Sequence, residues 1–461
     1  MKDNKLFAAL KRADNKIYIA DYIIFGVIAV FCYLVFMQGD ILVTGNRAWQ
    51  FYNSNFFNYY DVLQKWTNDN GATYLPTTFL FFAVWLLPLK ILGFAAPETL
   101  MTSHFIYNMW YKLLPTCFFF ITALFIYKLA VIIGMSKNKS KVCAASFVTL
   151  PVAFFNQFIF SQYDIFTVFF MVLGLYFFFR NKKFDKCFFC LSFGVAITFK
   201  YYAILIFLVF LLLKEKRIID IAKYGLCSLW LLIIEIACFY PSKGFRDGVF
   251  GFGALTYVSQ EDFTTILGSV SYFQILVMFI VIWAYFVKPK DTQDLIKWGF
   301  YLSCGVCFAQ FALMTWHPQW LLFGAPFWVI SASFNKNTKK FLWLDCLYTY
   351  SFYAVVLTQW TGNVDSQTMR YGILGKIFGG NAISRFAYEF YPNPGKNMML
   401  AVLFVVLLSF FVFKHPKFTL EDLSYDDGEY NIWLLRLRLW LAFLLYAGPC
   451  FISFLFSVGI L

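Results

Sequence analysis

Two carboxylates in this chain stand where an apolar run meets a polar segment. Asp164 closes the string Ser161-Gln162-Tyr163-Asp164 and opens the nearly unbroken apolar run 165–179, and Asp40 ends the first apolar run of the chain. A carboxylate at the mouth of a membrane helix is costly unless it faces water, a partner or a substrate. Together the two acids point to chemistry at a membrane face. Lys200 poses the same question with the opposite sign. It lies inside the apolar stretch 187–213, which runs between two basic clusters and so should cross a membrane twice. Two ordinary spans need about 40 residues, more than the stretch has. Two short helices of roughly 20 Å each would leave the hairpin tip Phe199-Lys200-Tyr201 below the outer surface. A cation there needs an anionic partner or a water-filled cavity. The other reading is one long tilted helix from which Lys200 snorkels to the interface.

The elements that must position these groups follow from composition. Of 461 residues, 61% are hydrophobic and 14% charged, against roughly 25% charged in soluble proteins. Apolar stretches recur along the whole length, so the expected class is all-α, a polytopic transmembrane helical bundle. The net charge of +13 does not call for nucleic acid, because most Lys and Arg sit in short clusters between apolar runs, where they act as orientation signals. The basic start, 1–16, precedes an apolar run with no small-residue cleavage site, which reads as a retained first helix with a cytosolic N-terminus. The C-x-x-C pairs Cys187/Cys190 and Cys304/Cys307 lie inside apolar runs, where cysteine behaves as a small hydrophobe.

The basic clusters 2–16, 137–141, 180–186, 214–217, 288–290, 336–340 and 414–417 are expected in the cytosol. That puts 39–75, 161–164, 241–268, 316–320 and 361–397 outside. Parity then requires that 76–94, interrupted by Pro88, lie in or dip into the outer leaflet rather than span. The count is about thirteen crossings. The chain divides into a membrane module, 1–334, and C-terminal helices, 335–461. The first external loop carries Arg47, Trp49, Tyr52, Tyr59, Tyr60 and Trp66 among several Asn, a composition that suits carbohydrate and equally an interfacial aromatic belt.

The order of these parts resembles the GT-C membrane glycosyltransferases that use polyprenyl-phosphate sugars. The residues that carry the likeness are Asp40 after the first helix, the segment Tyr74-Leu75-Pro76-Thr77, a helix pair containing Leu150-Pro151, Ser161-Gln162-Tyr163-Asp164, Lys200-Tyr201, and the late string His317-Pro318-Gln319-Trp320. By this pattern the chain is similar to the GPI mannosyltransferases and the dolichyl-phosphate-glucose glucosyltransferases. It departs from the former in having Asp40 where they carry paired acids, so a divalent metal is left open and no metal ligand is assigned.

The resemblance implies transfer of a hexose, mannose or glucose, from a polyprenyl phosphate to an acceptor hydroxyl on the external face, with inversion. The leaving phosphate needs no proton, so a single general base suffices. Asp40 is the first choice for it; Asp164 is the alternative or orients the acceptor. Lys200 and His317 are candidates to neutralise the phosphate, with Arg370 and Arg385 behind them. Gln162, Tyr163, Gln319, Trp320, Arg47 and Tyr74 are candidates for sugar or acceptor contacts. The implied partners are the lipid-phosphate donor, a glycan or glycolipid acceptor and membrane lipid. The Phe, Ile, Asn and Lys bias suggests a low-GC bacterium, its cell membrane and cell-envelope glycan assembly. The rival readings are a lipid-linked sugar flippase or other transporter, and an oligosaccharide polymerase.

Overall fold

The computed structural model describes residues 16–67, 72–251, 262–265, 268–314, 317–335, 338–359, 367–380, 395–417, 422–426 and 428–461. Arg385, and all but the last residue of the basic N-terminal segment, lie outside the described residues.

The chain is a polytopic helical membrane protein. Among the described residues the only sheet is one antiparallel pair, Asp262–Thr265 with Gly268–Ser271. Among the described residues four helices are long and apolar enough to cross a membrane: Phe105–Ile132, Thr292–Leu313, Thr338–Thr358 and Ile432–Ser457. Three further apolar helix pairs among the described residues are sharply bent, each a broken span or a re-entrant loop: Ile19–Val35 with Gly39–Asn53 at 70°, Lys137–Val148 with Pro151–Phe160 at 56°, and Ile218–Ser228 with Trp230–Phe239 at 48°. Shorter apolar helices include Ile165–Arg180, Ala203–Lys214 and Tyr272–Phe286. By length and composition the described residues hold four to seven spans, fewer than the thirteen or so crossings expected from the sequence.

The breaks have local causes. Pro151 has no N–H to donate and holds Leu150 extended (φ −65°, ψ 133°), so the helix that begins at Lys137 stops at Val148 and a new one starts. At the first break Phe36 is extended, and the Gln38 side chain accepts a hydrogen bond from the Asp40 N–H, capping the helix that follows. The stretch around Lys200 is two helices, Asp185–Phe199 of 15 residues and Ala203–Lys214 of 12, or ~22 and ~18 Å. The helix ends because Lys200 is extended (φ −149°, ψ 120°), so the single tilted helix is not what the chain forms.

The segment 39–75, expected as an external loop, is largely helical. It folds into Gly39–Ala48, a 3-10 turn at Trp49–Asn53, and Tyr59–Thr67. The readiest sugar platforms in it are interior. Trp49, Tyr59 and Tyr60 are buried, the two tyrosines fully, and Tyr59 and Tyr60 pack with Phe79, Phe239 and Phe245 in a small apolar cluster. Their area stabilises the fold instead of meeting a ligand. The helix Pro76–Ile91 continues through Pro88. Its rings run from Phe81 against Phe118, Phe166 and Phe199 to Trp85 stacked on Trp110 at 5.0 Å.

Several lysines are held by backbone carbonyls. Lys112 donates to the carbonyl of Phe36 at 2.5 Å, Lys216 to those of Tyr285 and Val287 at 2.7 and 2.9 Å, and Lys414 to that of Trp328 at 2.9 Å. Phe36, Tyr285 and Val287 lie at helix C-termini, whose last carbonyls lack intrahelical donors and carry partial negative charge that favours a cation; Trp328 lies within its helix. Arg438, fully buried, pairs with Asp345 at 2.6 Å and also donates to the Ser146 carbonyl and the Thr149 hydroxyl.

Candidate functional site at Asp40, Asp164 and Lys200

The two acid-bearing helix mouths are joined through the backbone. The Gln38 N–H donates to the Phe160 carbonyl at 3.1 Å, and the Met37 N–H donates to the carbonyl of Thr368 at 2.6 Å. Phe160 ends a π-helical turn, Phe155–Phe160, and Ser161 then adopts the left-handed conformation (φ 65°, ψ 48°). A non-glycine residue there costs about 1–2 kcal/mol, and such outliers concentrate at functional sites. The turn lets the Gln162 N–H bond the Asn156 carbonyl at 3.0 Å and sends Tyr163 and Asp164 into the start of Ile165–Arg180.

From that turn Gln162 reaches across. Its Nε2 donates to an Asp40 carboxylate oxygen at 3.3 Å, while its Oε1 accepts from the Tyr163 N–H at 3.0 Å. Both ends of this buried amide are thus occupied, which makes Gln162 a holder of Asp40. Tyr163 is buried too, its ring edge-on to Tyr74 at 5.6 Å and to Phe82 at 5.8 Å, and forms wall. Asp40 is exposed by area, unlike Asp164, yet its carboxyl lies in a recess where desolvation outweighs the influence of Lys200 and Arg47.

Asp164 is buried, at 1% exposure, and its partner is Lys200, with Nζ 3.3 Å from Oδ1. The ammonium also lies over the Tyr74 ring at 4.6 Å and the Tyr163 ring at 5.9 Å. Lys112, Lys216 and Lys414 also lie over aromatic rings, but Lys200 is paired directly with a carboxylate. Asp40 lies within electrostatic reach of Lys200 and Arg47, and Asp164 within reach of Lys200, Asp40 and His317. Desolvation first, and the Lys200 ammonium second, hold the His317 imidazole below its ordinary range, with Asp164 opposing. His317 is therefore mostly neutral at pH 7, and positive charge in the cluster comes from Lys200 and Arg47. The string after it is anchored: His317 packs edge-on to Trp320 at 5.1 Å, Asn156 donates to the Gln319 carbonyl at 3.3 Å, and Tyr202, two residues past Lys200, meets Phe323 at 4.4 Å.

The structure thus gathers Asp40, Arg47, Tyr74, Gln162, Tyr163, Asp164, Lys200 and His317, with Gln319 and Trp320 beside them. Arg370 lines a cavity with Lys376.

One group had not been singled out from the sequence. Glu235, 4% exposed within Trp230–Phe239, accepts from the Thr77 N–H at 2.6 Å and from the Thr77 hydroxyl. Thr77 opens the helix Pro76–Ile91, whose first N–H groups have no intrahelical acceptor, so Glu235 caps that helix from a distant segment. Tyr74, whose ring faces Lys200, ends the chain leading into it, and its carbonyl accepts from the Tyr60 hydroxyl at 2.7 Å. A lone carboxylate in an apolar run was the available signal, the same one that drew attention to Asp164.

No protein-family model matches this chain, and no curated protein matches it. Two solved structures resemble it: ArnT from Cupriavidus metallidurans in the apo state, with TM-score 0.47, 11% identity, and 93% of this chain and 77% of that one covered; and the same protein bound to undecaprenyl phosphate, with TM-score 0.46, 12% identity, and 95% and 76% covered. Similarity of this order does not carry an activity to the chain.

Proposed function

We propose that this protein is an integral-membrane glycosyltransferase of the GT-C kind. It moves a hexose, mannose or glucose first, from a polyprenyl phosphate to an acceptor hydroxyl on the external face of a bacterial cell membrane. The observation that carries the proposal is Asp40, exposed by area and held by Gln162, beside the buried Asp164–Lys200 pair.

Asp40 is the better base of the two acids. It is open to a substrate, and Gln162 fixes one oxygen through a donated hydrogen bond. Asp164 is committed to Lys200 and shut away from solvent, which suits a group that orients the cation. In the reaction the acceptor oxygen bonds the anomeric carbon from the face opposite the phosphate. Its proton passes to Asp40, and the bond from the anomeric carbon to the phosphate oxygen breaks. The electron pair leaves on the phosphate, and Lys200 with Arg47 lowers the cost of that charge. His317, neutral, serves as a hydrogen-bonding group. We assign the catalytic module to 1–334, with the segment 367–380 as an added wall.

The test is transfer from a panel of labelled polyprenyl-phosphate hexoses to membrane acceptors by the purified protein. Failure to consume every donor would favour a transporter or polymerase.

A further inference from the structure

A tight turn ahead of the helix Tyr59–Thr67 holds two phenylalanines outward. Phe56 is 40% exposed and Phe57 59% exposed. Phe56 has a positive φ of 73°, a conformation rare for a bulky side chain. Two amide side chains lock it. The Asn55 N–H donates to Asn58 Oδ1 and the Asn58 N–H donates to Asn55 Oδ1, both at 3.0 Å. The Phe57 N–H closes on the Asn55 carbonyl at 3.0 Å. Behind the turn, Phe51 stacks on the buried Tyr59 at 3.8 Å, which ties it to the interior. Single exposed apolar side chains are ordinary, but two adjacent rings on a locked turn need a partner.

The neighbouring surface is that of a membrane helix. The Phe56 ring lies 5.3 Å from that of Phe57 and 5.2 Å from that of Phe239, the last residue of Trp230–Phe239. That apolar helix exposes Ile233 and Ile234, and Tyr240 just beyond its end is exposed as well. Lys243 is exposed three residues later, and its segment is tied to the helix Tyr59–Thr67 by the Gly244 N–H, which donates to Asp61 Oδ1 at 2.8 Å. An aromatic and a cation at the end of a membrane helix mark the headgroup level.

We propose that the Phe56–Phe57 turn inserts into the bilayer as a wedge, its rings among the acyl chains just below the headgroups on the Asp40 side. Continuity favours lipid over a protein partner: the ring pair adjoins the end of a helix whose exposed face is apolar, beside Tyr240 and Lys243. The turn belongs to a segment expected to lie wholly outside the membrane. Its insertion holds the helix Gly39–Ala48, joined to it through Trp49–Asn53, against the membrane surface. The wedge stands whether or not the site at Asp40 transfers a sugar.

The test is photo-crosslinking of the full chain in dioleoyl phosphatidylcholine proteoliposomes, with p-benzoylphenylalanine in place of Phe57. The same group in place of Ile234 gives the lipid reference, and in place of the exposed Lys65 the water reference. If the Phe57 protein is not monodisperse, the group replaces Phe56 instead. Intact mass after irradiation reads the adduct. The expected result is a phospholipid adduct at least about tenfold more frequent at Phe57 than at Lys65, approaching that at Ile234. A covalent dimer of the chain in place of the lipid adduct, or a lipid adduct no more frequent than at Lys65, would overturn the proposal.

Discussion

The Lys200 ammonium lies 3.3 Å from an Asp164 carboxylate oxygen, and each side chain is 10% exposed or less. The pair sits where one helix ends and another begins, so neither residue can be moved without disturbing the turn that carries it. Lys200→Met removes the cation and leaves Asp164 buried without it. If Lys200 also holds the donor phosphate, donor affinity falls by about 2–5 kcal/mol with every acceptor. Titration of undecaprenyl-phosphate hexose onto the folded, monodisperse variant checks this. Wild-type affinity and wild-type transfer would reduce Lys200 to a structural ion.

Glu235 acts at one remove, through Thr77 and the helix that follows Tyr74. Glu235→Gln keeps an acceptor oxygen, whereas Glu235→Leu leaves the Thr77 N–H and hydroxyl without one. The leucine variant should be destabilised by about 1–3 kcal/mol and lose turnover, with glutamine recovering most of both. Thermal denaturation in detergent and parallel transfer rates decide the matter. Equal behaviour of the two variants would show that the cap is dispensable.

Arg438 is the contrasting case, an ion pair remote from the proposed chemistry. Arg438→Met strands Asp345 and should cost about 3–5 kcal/mol, and adding Asp345→Asn should recover part of it. Melting temperatures of the single and double variants measure the coupling. Additive losses would mean that the pair does not act as a unit.

The helical class was legible because membrane crossings write long apolar runs, and the Lys200 hairpin because its stretch is too short for two full spans. Asp40, Asp164 and Lys200 stood out for the same reason: charge in an apolar context is costly, so its presence marks a partner. What joins them was not legible. The Gln38–Phe160 hydrogen bond and the left-handed Ser161 are tertiary facts with no signature in residue type. The loop aromatics misled because a tyrosine that stacks on sugar and one that fills a core have the same composition; only the packing of Tyr59 and Tyr60 on Phe79 and Phe245 separates them.

The base assignment is the centre of the account, and Asp40→Asn tests it with little change of shape. The measurement is the polyprenyl phosphate released from a lipid-linked hexose by wild type and variant, with donor binding followed in parallel. The expected result is release by wild type that depends on acceptor, and a rate roughly 100-fold or more lower for Asp40→Asn at unchanged donor affinity. Near-normal release by the asparagine variant, or none by wild type with any donor in the panel, would contradict it.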